Sequence, residues 1–527
     1  MKGIFLLSAL FMASLARGDE ISALIQNGDA AAHADRHGDA IQFYESAIRR
    51  KPEIRDPLLP KLASQYLWNN NALKASELLK ESLQKHPDDC ESRMTLALAL
   101  SWINHLSDSE RAYSEVAEKC TALAPEARLG QARLLRWMDR PSRADVIYKE
   151  IGQNGTPKQK RDAEIGLALT QLARDNNRSA LERFSKLNAE GAPDASLVEG
   201  HAVSELHLGL PDRAIEILQQ AGKAGVLDHR LGDLQDHLRR TDNLALSPTF
   251  VAFRDADGTH YESEDLATAF GWDKRGRAEV HFGASTLSSN HQEIQGRWGA
   301  VDLEHRFSES FALRAEGRKN DFIGAGFSPF TGEVDAILTP RDGLRIDGAV
   351  ARILIADNLA AMKNHLIGTY ASLGFDQRWN GQNTVSASLD STFWSQDSTR
   401  MRYRFSLSHR FEGVPRVTVE WPTLFQTYNR GFSFGLFSPQ TYIESGPGVN
   451  VYRRFARYWS VEASARIGGQ KQSGAPWQRL GSFSATVDRE LWKSWAFHGS
   501  AGYSSSNLAS PTGFKRKSFS VGLTKRF

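Results

Sequence analysis

The stretch Phe519-Ser520-Val521-Gly522-Leu523-Thr524-Lys525-Arg526-Phe527 decides how the second half of this chain is read. Successive side chains of an extended strand point to opposite faces. Phe519, Val521, Leu523 and Phe527 therefore share one face, and Ser520, Gly522, Thr524 and Arg526 the other. One apolar and one polar face suit a bilayer-spanning barrel, in which lipid lies on one side and a watery lumen on the other. Lys525 breaks the apolar series near the strand end, where a lipid-side cation costs about 0–1 kcal/mol against about 2–4 at the midplane. An edge strand of a soluble sandwich alternates in the same way, so the rest of the chain has to decide.

The period of two runs back to about Leu244, with turns of Gly, Asn, Asp, Ser and Pro. In Arg400–Phe411, Met401, Tyr403, Phe405 and Leu407 oppose Arg400, Arg402, Arg404 and Arg410. Four arginines on one face need a wet lumen, because a dry core would leave them unsolvated. Sixteen such runs begin near 248, 261, 276, 291, 310, 332, 343, 366, 382, 399, 415, 441, 458, 479, 494 and 516. The number is even, as single-chain bacterial barrels require, and the fair range is about fourteen to eighteen. Asp257-Gly258 and Asp342-Gly343 read as tight hairpin turns, in preference to a calcium loop at Asp255-Ala256-Asp257-Gly258. Segments 320–331, 354–365 and 425–440 read as loops that cover or constrict a pore.

Alternation sends Arg314, Arg318, Arg400, Arg402, Arg404, Arg410, Arg416 and Arg466 into the lumen, with Glu279, Glu316, Asp390, Glu420 and Glu462. Two readings stay open. The arginines form a track for anionic solutes or sugars, or they pair with the acids and stiffen the wall.

At the other end, Met1-Lys2, the apolar stretch Ile4 to Leu15 and Ala16-Arg17-Gly18 have the form of a secretory signal, so residues 1–18 are set apart. No later run of 18 apolar residues offers a transmembrane helix. The 65 basic and 62 acidic residues are too balanced to suggest nucleic acid as a partner. After residue 241 the counts are 33 against 28, and before it 32 against 34. Nine of the twelve tryptophans lie in the second half, as interfacial girdles would require.

Residues 20–240 carry a helical period. A small residue followed four later by a large one recurs at Ala40/Tyr44, Ala75/Leu79, Ala112/Val116, Ala144/Tyr148, Ala180/Phe184 and Ala214/Leu218. The spacing is close to the roughly 34 residues of a tetratricopeptide repeat. About six copies are expected over 19–240, with Pro52, Pro87 and Pro125 ending helices and the third copy departing most from the pattern. Stacked copies bury a shared core and expose a concave surface that either binds a partner or serves as a spacer. Cys90 and Cys120 fall at neighbouring ends of the third hairpin. They form either a disulfide worth roughly 3 kcal/mol or two buried thiols. Their spacing fits no metal motif, and no cofactor is implied.

A signal segment, tetratricopeptide repeats and a barrel over 246–527 together resemble the exopolysaccharide secretins of Gram-negative bacteria, which serve cellulose, Pel and poly-N-acetylglucosamine export. The local match is Phe437-Ser438-Pro439-Gln440-Thr441-Tyr442, similar to a Tyr-Phe-Ser-Pro-Gln-x-Tyr segment of the cellulose synthase operon protein C. Leu436 stands where that segment has its first tyrosine, and those proteins carry more repeats. The terminal strand, with Phe519, Val521, Leu523 and Phe527, resembles the signal read by barrel assembly machinery. The resemblance implies an outer-membrane porin for a polysaccharide, with periplasmic repeats. Its partners would be outer-membrane lipid, the assembly machinery, the polymer and periplasmic or inner-membrane synthase components. The alternatives are a receptor, for example for phage adsorption, and a barrel-anchored assembly scaffold. An enzyme is not expected, since His281, His291 and His498 show no convergent spacing with an acid, base or nucleophile.

Overall fold

The computed structural model describes residues 20–527 except 192–193, 242–243, 257, 290, 456–458, 493, 511–512 and 514. The signal segment 1–18 and the Asp257 turn lie outside the described residues. The fold is a helical tetratricopeptide-type solenoid followed by a closed antiparallel barrel.

The helices are α1 (20–33), α2 (His37–Arg50), α3 (Arg55–Trp68), α4 (Ala72–Lys85), α5 (Cys90–Trp102), α6 (Leu106–Lys119), α7 (Ala124–Trp137), α8 (Pro141–Asn154), α9 (Pro157–Ala173), α10 (Asn177–Ala189), α11 (Ala195–His207), α12 (Pro211–Lys223) and α13 (His229–Thr241). Consecutive helices pair as hairpins. The small residue that lets them approach is fully buried at Ala40, Ala75, Ala144, Ala180 and Ala214, and the large one four later is buried at Tyr44, Leu79, Tyr148, Phe184 and Leu218. In the third hairpin these places belong to Ser109 and Tyr113, one turn before the expected Ala112/Val116. The alignment sought an alanine, whereas Ser109 satisfies its buried hydroxyl by donating to the Ala97 carbonyl at 2.7 Å. Tyr113, Tyr148 and Phe184 lie against Gly130, Gly166 and Gly200, which leave no room for a Cβ. The first helix of each hairpin ends in a left-handed residue: Asp35, Asn70, Asn104, Asp139, Asp175 and Gly209. Cys90 and Cys120 are joined in a disulfide, Cα–Cα 6.0 Å.

Two compact units divide the chain, Met1–Leu167 and Ala168–Phe527. The change from helix to strand comes later, between Thr241 and Ala245, so α10–α13 belong to the same unit as the barrel.

The strands are β1 (Ala245–Asp255), β2 (His260–Gly271), β3 (Gly276–Ser289), β4 (Gln292–Ser308), β5 (Phe311–Ile323), β6 (Phe330–Arg341), β7 (Leu344–Leu354), β8 (Ile367–Trp379), β9 (Asn383–Trp394), β10 (Ser398–Phe411), β11 (Arg416–Tyr428), β12 (Thr441–Ser445), β13 (Gly448–Phe455), β14 (Trp459–Gln472), β15 (Gln478–Trp492), β16 (Trp495–Ser504) and β17 (Arg516–Arg526). Each except β12 pairs with the next, and β17 returns to β1 with Ala245 opposite Arg526 and Asp255 opposite Arg516. β12 and β13 flank Gly446-Pro447 and both pair with β11 and β14. They form one stave, and the barrel has sixteen.

The outer face carries exposed apolar side chains, among them Phe282, Val350, Leu373, Ile467 and Phe519. Such a band costs free energy in water and gains it in lipid. Among the described residues no helix is long and apolar enough to cross a membrane, so the strands must carry any crossing. One mouth of the barrel has short turns, such as 272–275, 309–310, 342–343 and 380–382, and the other has long loops, including 324–329, 355–366 and 429–440. The 355–366 loop contains the short helix α14 (Leu359–Lys363).

Candidate functional site

The luminal wall is densest in charge on β10. Arg402 lies directly across the ladder from Asp390 of β9, and Arg400 and Arg404 flank it on the same face. All three guanidinium groups converge on that one carboxylate: Arg400 Nη2 at 3.3 Å from Oδ1, Arg402 Nε at 3.2 Å from both oxygens, and Arg404 Nη1 at 2.7 Å from Oδ2. The Asp390 side chain is wholly buried beneath them. Three cations on one anion leave a positive surplus at this wall.

The other predicted luminal groups are more evenly balanced. Arg466 Nη1 pairs with Glu444 at 2.9 Å, and Arg314 Nη2 with Asp302 at 3.2 Å. Arg318 packs 4.5 Å over Trp298 and donates to Asn320 at 3.0 Å. Glu462 accepts from Asn450 Nδ2 at 2.7 Å. Glu316 stands directly opposite Glu333 of β6, and Glu420 opposite Gly448. Arg410 and Arg416 flank the 412–415 turn. Sequence reasoning missed a histidine set on β2–β4, where His281 Nδ1 lies 2.9 Å from Asp265 and Nε2 lies 3.3 Å from Asp302. Only the strand register brings these residues together. Among the described residues no cluster of His, Cys, Asp and Glu is arranged to hold a metal.

Three buried donors on adjacent staves have no acceptor among the described residues: Trp394 Nε1, Arg400 Nε and Gln426 Nε2. Arg400 and Gln426 sit on the face that Asp390 defines as luminal, across the ladder from Tyr428 and Arg402 respectively.

At the long-loop mouth the Phe437–Tyr442 segment acts as a joint. Tyr442 is 1% exposed, and its Oη lies 2.8 Å from both Glu444 Oε2 and Gln470 Oε1. Gln470 in turn binds the β16–β17 loop, accepting from Asn507 N at 2.8 Å and donating to the Ser505 carbonyl at 2.8 Å. Phe437 meets Tyr442 edge to face at 5.4 Å and presses on Gly513, whose lack of a Cβ leaves the space. Ser438 Oγ accepts from Phe432 N at 2.9 Å and folds its own loop. Pro439 and Gln440 complete that loop, and Gln440 accepts from Tyr428 N through its carbonyl.

α14 enters the same mouth. Met362 is buried with Leu287, Ile294, Phe322 and Phe327, while Ala361 and Leu366 pack with Trp394, Tyr428 and Leu436. Arg516 of β17 binds Asp255 at 2.9 Å and Asp357 of the β7–β8 loop at 3.0 Å. β8 and β17 lie half the ring apart, so this ion pair bridges the mouth. Burial raises the Asp357 carboxyl above the usual carboxylate range.

The short-turn mouth carries helices as a collar. Asp342, in the β6–β7 turn beside left-handed Gly343, accepts from Arg178 N and Ser179 N at 2.9 Å each and so caps α10. Asp175 binds Arg378 at 2.9 Å and Arg410 at 3.7 Å. Arg275 makes a bidentate pair with Asp212 of α12, at 3.0 and 2.7 Å. The hydrogen bonds from Arg275 hold the Asp212 carboxyl below its ordinary range. Phe519 lies on the outer face of β17, and Phe527 closes the seam by donating its backbone N–H to the Leu244 carbonyl at 2.9 Å.

No family model matches this chain, and no curated protein matches it in sequence. Solved structures similar to it include a bacterial polysaccharide outer membrane secretin, at 15% identity over 54% of this chain and 99% of that one, TM-score 0.45. A tetratricopeptide repeat protein from Parabacteroides merdae ATCC 43184 matches at 15% identity over 42% of this chain and 90% of that one, TM-score 0.34. CdiB from Acinetobacter baumannii matches at 8% identity over 54% of this chain and 60% of that one, TM-score 0.35.

Proposed function

We propose that this protein is an outer-membrane porin that exports a polysaccharide, with residues 19–240 in the periplasm binding partner proteins or the polymer. The observation that carries the reading is the lining of a sixteen-stave barrel wide enough for an aqueous channel. Its wall offers hydroxyls and paired charges, such as Arg466 with Glu444 and Arg314 with Asp302. A luminal recess of about 460 Å³ lies among Asp347, Ser386, Ser388, Arg404, Ser406 and Arg466. Hydroxyl-rich sugar rings exchange hydrogen bonds with such a surface at every step of a passage, and no single step needs to be strong. The resemblance of residues 437–442 to an exopolysaccharide porin segment supports the same reading.

A second reading has its own support. The Arg516–Asp357 pair and α14 cross the long-loop mouth, as a plugged receptor or a barrel-anchored scaffold would tolerate. Planar-bilayer recordings separate the two. An exporter gives single-channel conductance that a hexasaccharide of its polymer reduces, and Arg516→Ala raises the open fraction by loosening the bridge. Silence from both the wild type and Arg516→Ala overturns the porin reading. Deleting 19–240 tests the role of the repeats, since loss of polymer secretion with an intact barrel is the expected result.

A further inference from the structure

Trp68, Trp102 and Trp137 are the last residues of α3, α5 and α7, one per hairpin in three successive hairpins. They are 54%, 42% and 50% exposed, although tryptophan is a residue that folding normally covers. Hairpins stacked in the same sense bring the C-terminal ends of their first helices to one edge of the solenoid. There Trp68 and Trp102 meet edge to face, with centroids 5.8 Å apart. Two residues beyond each indole, Asn70, Asn104 and Asp139 hold left-handed backbone at φ 61, 62 and 54°. A short polar side chain therefore recurs beside each ring at the same place in the repeat. The fold does not demand tryptophan here, because α9 and α11 end in Ala173 and His207.

We propose that this edge is a binding platform for a polysaccharide strand. Trp68 and Trp102 stand at 83° to each other, so their exposed faces take pyranose rings from different sides of the strand, and the amides of Asn70 and Asn104 bond the hydroxyls. The size of the patch argues against a protein partner. With about half of each indole exposed, the row offers roughly 300 Å² of ring surface, against about 800 Å² per partner in a standard protein interface. The polar groups beside the first two rings are uncharged, which favours a neutral strand over a polyanion. The inference rests on the export reading only for the class of ligand.

The test is isothermal titration of the full-length protein in detergent with three probes: a glucose, an N-acetylglucosamine and a uronic-acid hexasaccharide. The Trp68→Ala/Trp102→Ala/Trp137→Ala variant should bind a neutral hexasaccharide about tenfold or more weakly than wild type. The corresponding triple Phe variant should stay within about threefold, because it keeps a stacking face. Unchanged binding in the Ala variant, no binding by the wild type, or an effect confined to the uronic-acid probe overturns the platform. Conductance recorded on the same samples keeps the two ideas apart. Channels with sugar binding untouched by the triple variant leave export standing without the platform, and a silent barrel with the indole-dependent binding leaves the platform without export.

Discussion

Phe184 in α10 is fully buried, whereas Phe282 in the middle of β3 is 65% exposed. The first sits in an array that hides apolar groups from water. The second sits in a barrel that turns them outward and keeps Asp390, Arg402 and Ser406 inside. The two arrangements are opposite, and the hydrophobic effect favours the second only where hydrocarbon takes the place of water outside. The contrast teaches that exposure has to be judged against the local medium. An exposed phenylalanine on β3 is unremarkable, while an exposed tryptophan at the end of α3 asks for an explanation.

The sharpest way to break this comparison is a pair of truncations. Phe184→Ala should cost about 3–5 kcal/mol, read as a lower melting midpoint of the helical circular-dichroism signal. Phe282→Ala in detergent should cost less than about 1.5 kcal/mol, since nothing packs over it to leave a cavity. Equal losses would refute the inverted packing. Asp390→Asn removes the one anion beneath three arginines and should cost about 3 kcal/mol, while shifting the channel toward anions in reversal-potential measurements. Cys90→Ala/Cys120→Ala should lower stability by roughly 3 kcal/mol in the helical unit and leave the heat-modifiable gel shift of the barrel unchanged.

Smaller effects sharpen the view of the collar. Asp342→Ala should cost about 1 kcal/mol through loss of the α10 cap, visible as faster amide exchange at Arg178 and Ser179. Asp212 has a lowered pKa in the folded state, so its contribution is present above the unfolded value near 3.9 and is lost as pH falls through the folded one. Exchange protection of α12 should therefore be flat from about pH 5 to 8 and decline below about pH 4. A decline already at pH 6 would assign the docking to a different group.

Much of the fold was legible because strands with one apolar and one polar face keep a strict period of two. All sixteen staves begin within three residues of the positions read from alternation, from Ala245 against 248 to Arg516 at 516. The helical array was legible from its small-then-large pattern except in the third hairpin, where Ser109 replaced alanine. The interruption at Gly446-Pro447 was not legible, since a stave split into two ladders keeps its alternation. The partners at the site were least legible. Alternation places Arg400, Arg402 and Arg404 on one face, but only the register with β9 brings all three to Asp390. Arg178 and Asp342 meet across 164 positions of chain, and no local pattern encodes such a meeting.

That last contact makes the head of one helix depend on a distant turn of the barrel. Asn176, at the head of α10, makes no side-chain cap bond of its own, and the oxygens that complete the helix belong to a hairpin made more than a hundred residues later. The α10 cap is therefore complete only where β6 and β7 have paired and set Asp342 in their turn.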